Sequence, residues 1–166
     1  MENKTEKRWL SVYVENEVGV LARVAGLFSG KLYNLNSLTV GETEQSDTSR
    51  MTISLFSDDR TFEQVKHQLN NMVEVIQVVD YTQQPFHAKE VMYVKITNYS
   101  EMEPLLLVEN EFTFSIVDSS PQALIIESLA NEQTNDRLMQ KLQQLFPEGM
   151  EVVRGGSVAL TRLHSR

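Results

Sequence analysis

Glu15-Asn16-Glu17-Val18-Gly19-Val20-Leu21, followed by Tyr33-Asn34-Leu35-Asn36-Ser37-Leu38-Thr39-Val40, marks where a strand turns into a helix and a second strand begins. Upstream, Trp9 to Glu15 places Leu10, Val12 and Val14 on one face and Trp9, Ser11 and Tyr13 on the other, the two-residue period of a strand. Leu21, Val24, Ala25, Phe28 and Leu32 recur at helical spacing, which predicts a helix ending near Lys31 and packing on a sheet. A strand–turn–helix junction points free backbone N–H groups, and the positive end of the helix dipole, at the space above the turn. That space suits a small carboxylate.

Working outward, Asn34 to Glu42 and Arg50 to Ser57 form a hairpin across the polar stretch Thr43–Ser49. Thr61 is the expected cap of a second helix, with Val65, Leu69 and Met72 as its stripe. Val75 to Tyr81 closes a βαββαβ unit of the split ferredoxin-like kind. Gln83 to Lys89 breaks the pattern and reads as a connector.

A second pass of the same plan follows. It comprises a strand at Val91–Thr97, a helix at Ser100–Glu109 with Pro104 near its start, and strands at Phe112–Val117 and Ala123–Ser128 around Asp118-Ser119-Ser120-Pro121. A helix at Asn131–Phe146 and two short strands, Glu151–Arg154 and Ser157–Leu163, complete it. The expected class is α+β, two ferredoxin-like βαββαβ domains with helices on one face of each sheet. The expected boundaries are 1–82, a connector at 83–89, and 90–166.

Composition narrows the function. The net charge is −8, spread evenly, with 8 Lys/Arg against 12 Asp/Glu in residues 1–82 and 7 against 11 in the rest. Such a chain offers no basic face to nucleic acid or to an anionic membrane. With no cysteine there is no disulfide, thiolate nucleophile or Cys-based zinc site. The N-terminus is charged and lacks the apolar run of a signal peptide, and no apolar stretch reaches bilayer length, so a soluble cytoplasmic protein is expected.

His67, His87 and His164 are isolated, and no nucleophile elbow, phosphate loop or metal-ligand spacing occurs. No enzyme chemistry, metal or cofactor is expected on this chain. The turn before the first helix nevertheless has the parts to hold a zwitterion. Asn16 can donate and accept, Gly19 allows close approach to the backbone, and Val20, Leu21 and Leu35 offer an apolar patch. The same Asn16 could instead cap the helix, and Asn34 and Asn36 could serve ordinary turn chemistry.

The loop Asn16–Leu21 resembles the ligand-binding loop of ACT domains. With Tyr33–Val40 it resembles, more narrowly, the small regulatory subunits of acetohydroxyacid synthase (acetolactate synthase). The likeness runs from about Trp9 to Arg162 and is strongest in residues 10–56, where Arg50-Met51-Thr52-Ile53 fits the third strand of the family. Phe114–Asp118 and Val152–Arg162 resemble its C-terminal half. The resemblance implies that the first domain is an ACT domain and that two chains pair as a homodimer. A branched-chain amino acid, with valine expected, would sit at that interface. Asn16, Gly19, Val20 and Leu21 would form one wall of the site, and Asn34 and Leu35 of a second chain the other. It further implies a separate catalytic subunit, using thiamine diphosphate, magnesium and flavin, that this chain activates or feedback-inhibits in branched-chain amino acid biosynthesis. Where the family has a basic helix, this chain has Glu101-Met102-Glu103-Pro104-Leu105-Leu106-Leu107, so that helix's role is not carried over. The alternative is a stand-alone ACT-type sensor acting on another protein.

Overall fold

In this computed structural model, residues 5–30, 33–97 and 103–163 are described. They fall into two compact units, one reaching to His87 and including the chain from Ala159 onward, the other spanning Ala88–Val158.

The first unit contains β1 (Glu6–Glu15), α1 (Val20–Gly30), β2 (Leu35–Glu42), β3 (Thr48–Ser57), α2 (Asp59–Asn70) and β4 (Val75–Asp80). The strands pair antiparallel in the order β2-β3-β1-β4, as a ferredoxin-like unit requires. Alternation in β1 is realised as read, with Leu10, Val12 and Val14 turned into the core. Met51, Ile53 and Leu55 of β3 lie beside them, with Val24 and Phe28 of α1 and Phe62, Val65 and Leu69 of α2 packed above.

Two details of that unit differ from expectation. The cap of α2 is Asp58, whose carboxylate accepts from the Thr61 backbone N–H at 2.7 Å, so the helix begins at Asp59. An aspartate before an acidic first turn caps at least as well as threonine, and Asp58 comes first along the chain. In α1 the inward stripe is Val20, Val24 and Phe28, so the apolar face is rotated away from Leu21. Leu32, expected on the stripe, lies outside the described residues.

The second unit contains most of β5 (Phe86–Thr97), then α3 (Glu103–Glu109), β6 (Ser115–Ser120), β7 (Ala123–Ala130), α4 (Glu132–Leu145) and most of β8 (Met150–Thr161). Its sheet order is β6-β7-β5-β8, the same plan. Met92, Val94 and Ile96 of β5 meet Leu124 and Ile126 of β7 under Leu105, Val108, Leu138 and Leu142. Asn131 caps α4 by accepting from Thr134 N–H at 2.8 Å.

Several boundaries move. Strand β5 starts at Phe86, inside the stretch read as a connector, because Phe86 packs on Tyr81 (ring centroids 4.9 Å apart) and on Trp9 (5.7 Å). Strand β6 starts at Ser115 and runs through Ser120, with a bulge after Ile116, because Phe112 and Phe114 leave the strand to pack on the core. The two expected C-terminal strands are one, β8, which runs through Gly156 at φ +77° without ending. The expected helix start, Ser100 to Met102, lies outside the described residues.

Candidate functional site

Gly19 sits at the cap position of α1. Its carbonyl accepts from Arg23 N–H at 3.0 Å, and its φ of +90° is one that a side chain strains to adopt. A glycine cap has no side chain to offer, and the first turn carries no acidic residue, which leaves the first-turn N–H groups of Leu21 and Ala22 without a side-chain cap among the described residues. The Val20 N–H is engaged by the Glu17 carbonyl at 3.3 Å.

Asn16 does not cap the helix. Its Nδ2 donates to Ser46 O at 3.0 Å and to Glu42 Oε1 at 3.3 Å, while its Oδ1 accepts from Ser49 Oγ at 2.9 Å. Its backbone N–H donates to Asp47 O at 2.7 Å, so the loop is laced to the β2–β3 hairpin from both main chain and side chain. On the other flank Glu15 N–H donates to Glu74 O at 2.9 Å, and Arg23 pairs with the Glu74 carboxylate at 2.5 Å.

The apolar residues of the loop divide. Val20 is 2% exposed and belongs to the core, so only its backbone borders the turn. Val18 is 101% exposed and Leu21 43%, which makes these two the apolar surface above the turn. Asn34 is exposed just before β2, and Leu35 is half-buried against the core.

These groups do not converge within one chain. Leu35 pairs with Leu55, and Leu55 with Arg8 across the sheet, whereas Glu15 pairs with Thr48. Seven residues of β1 therefore separate the Asn34/Leu35 end from the Asn16/Gly19 end, about 23 Å of strand.

Glu42, Ser46, Ser49 and Glu74 went unnoticed in the sequence because they lie 26 to 59 residues from the partners they brace. Among the described residues no three His, Asp or Glu side chains are placed to hold a metal, and no helix is long and apolar enough to cross a membrane. The second unit has an open concavity of about 410 Å³ lined by Tyr93, Lys95, Val117, Ile125, Glu151 and Val153. Its polar groups pair among themselves or with Glu127, Lys95 with Glu151 at 3.4 Å and Tyr93 with Glu127 at 2.6 Å. It thus presents an apolar surface rather than a seat for a charged ligand.

Residues 10–77 match the family model described as an AHAS small subunit-like ACT domain, and residues 89–163 match the one described as small subunit of acetolactate synthase. The acetolactate synthase small subunit of Aquifex aeolicus is 36% identical over 164 residues, spanning 97% of this chain and 84% of that protein. That of Mycolicibacterium smegmatis is 37% identical over 164 residues, spanning 98% and 95% respectively. The crystal structure of the acetolactate synthase small subunit from Thermotoga maritima superposes with a TM-score of 0.86 at 28% identity, covering 96% of this chain and 99% of that one.

Proposed function

The chain belongs to the acetolactate synthase small-subunit family, and from that premise we propose that it is a non-catalytic regulatory partner of a separate acetolactate synthase catalytic subunit. In this reading it senses a branched-chain amino acid, valine first, at a site shared by two copies of the chain. The observation that carries the shared site is the separation of its halves. Asn16 and Gly19 stand at one end of the sheet and Asn34 and Leu35 at the other, a separation that supports a site completed by a second copy.

The chemistry follows from the loop. The ligand carboxylate meets the uncapped N–H groups of Leu21 and Ala22 at the positive end of α1. The ammonium is accepted by Asn16 Oδ1 and neighbouring carbonyls, and the aliphatic side chain lies on Val18, Leu21 and the second copy's Leu35. Valine and isoleucine differ there by one methylene, worth about 1–3 kcal/mol. Asn16 Nδ2 can exchange its bonds to Ser46 and Glu42 for bonds to the ligand, which links occupancy to the hairpin. Coupling to catalysis then requires only that the catalytic subunit bind one hairpin arrangement better than the other.

The test is reconstitution with the catalytic subunit of the same organism. Acetolactate formation is followed with and without valine, leucine and isoleucine, and the chain alone is examined by sedimentation. The expected result is a dimer whose addition raises catalytic activity and makes it sensitive to valine. A monomer at tens of micromolar with valine present, or a catalytic subunit indifferent to the chain, would overturn the reading.

A further inference from the structure

Beside the effector loop, β3 carries a side chain that the loop itself does not use. Arg50 follows Ser49, the residue bonded to Asn16. Its guanidinium faces the helix-free side of the first sheet, donating to Ser11 Oγ at 2.6 Å, Tyr81 OH at 2.6 Å and the Ala159 carbonyl at 2.9 Å, and lying 5.0 Å from the centre of the Tyr13 ring. Tyr81 OH also donates to the Ala159 carbonyl at 3.3 Å. Every partner belongs to the first unit.

Two of these partners stand where the chain enters and leaves that unit. Tyr81 directly follows β4 and stacks on Phe86, the first residue of β5, which carries the chain out. Ala159 is the first residue of β8 counted in the first unit, so it marks the return. One arginine therefore grips both crossings, and its neighbour on the strand grips Asn16. Arginine suits this because its planar fork of donors holds several acceptors in fixed directions.

We propose that Arg50 is the positioning residue that couples the effector loop to the two crossing strands. A shift of β3 when Asn16 trades its hairpin bonds for ligand is passed by Arg50 to Tyr81 and Ala159, and along β5 and β8. This rests on the effector reading above. It assigns Arg50 no contact with the ligand.

The experiment uses the full chain with its catalytic subunit, comparing the wild type with Arg50→Met and Tyr81→Phe. Valine affinity of the chain alone is measured by calorimetry, valine inhibition is measured in the complex, and hydrogen exchange is measured at residues 159–163 with and without valine. In the wild type, valine changes exchange at 159–163. In Arg50→Met that change vanishes, and the response to valine, about 5- to 150-fold in typical allosteric pairs, collapses toward one. Valine affinity stays within about threefold, because no ligand contact is lost. Tyr81→Phe, which keeps the ring and its stacking, shows a partial loss and decides the matter if Arg50→Met fails to fold. A merely structural Arg50 would lower the melting temperature and leave inhibition and the exchange response intact, which overturns the proposal. A parallel loss of valine affinity overturns it too, since Arg50 would then belong to the pocket. If the wild type itself binds no valine, the effector reading falls first, and the two failures are told apart by that measurement.

Discussion

Asn16 spends both amide protons on the β2–β3 hairpin and takes the Ser49 hydroxyl in return, so it has more to lose than a cap would. At the proposed site, replacing Asn16 by Ala would remove a bond to a charged ligand group, worth about 1.5–3 kcal/mol, and should weaken valine binding roughly 10- to 150-fold. The same change frees the hairpin and should cost about 1 kcal/mol of stability. Ser49→Ala leaves the amide in place but unguided, and its effect on affinity should be smaller, under about tenfold. Calorimetry and a thermal melt separate the two roles. Unchanged affinity with a lowered melting point would make Asn16 a latch for the hairpin and nothing more. The sequence made Asn16 and Gly19 visible as a polar turn before a helix. It could not reveal that Val20 turns inward while Val18 and Leu21 stay out, because a helix's phase against its sheet is set by packing and not by spacing alone.

At the level of elements, strongly periodic segments were legible and junctions were not. β1 and β3 alternate cleanly because one face meets the core. By contrast β8 looked like two strands, since Gly155-Gly156 reads as a break until pairing with β5 carries the strand through. Gly149, just before β8, has φ +79°, and a Cβ there would lie 2.3 Å from Thr97 Oγ1 and 2.8 Å from Thr97 O. Thr97 N–H and Oγ1 both donate to the Gly149 carbonyl, at 2.8 and 2.9 Å. Gly149→Ala therefore combines backbone strain with a clash and should destabilise the second unit by about 2–4 kcal/mol in denaturant unfolding.

The α2–β4 contact adds an ion pair to its apolar packing. Lys66 pairs with Asp80 at 2.7 Å and with Glu63 at 2.6 Å. Burial would raise the Asp80 pKa, but hydrogen bonds from Lys66 and Thr82 outweigh it and hold the carboxyl below its ordinary value. A depressed carboxyl pKa contributes stability that is complete above the unfolded value, about 3.9, and is lost as pH falls through the folded one. Wild type should exceed Asp80→Asn by about 1 kcal/mol or less at pH 7, given the partial exposure of the pair. That gap should close below pH ~4. A gap independent of pH in acid titration would mean that the ion pair is not its source.

For the molecule as a whole, the repeat of one βαββαβ plan could be read from the chain, but the closing of the first unit by distant residues could not. Phe86 stacks on Tyr81 and Trp9, Arg162 N–H donates to Pro85 O at 3.0 Å, and Ala159 takes the Arg50 guanidinium. Apart from the neighbouring Tyr81–Phe86 stack, these contacts join positions 77 to 109 residues apart, which no local pattern announces. Every residue proposed for the effector site lies before residue 36, so a fragment ending at His87 should fold, dimerise and bind valine, with a lower melting temperature than the full chain. A fragment ending at Tyr81 loses the Phe86 ring as well. Fully burying a phenylalanine contributes about 1.5–3 kcal/mol, of which the half-buried Phe86 supplies a part, and each aromatic pair about 0.5–1.5 more. In a domain this small a loss of about 2 kcal/mol lowers the melting temperature by roughly 10 °C. Differential scanning calorimetry of the two fragments measures that difference. If both melt together, the Phe86 stack adds nothing and the start of β5 is merely adjacent. If the 1–87 fragment folds but is blind to valine, then the returning strand from Ala159 onward is part of the sensor and not only a brace upon it.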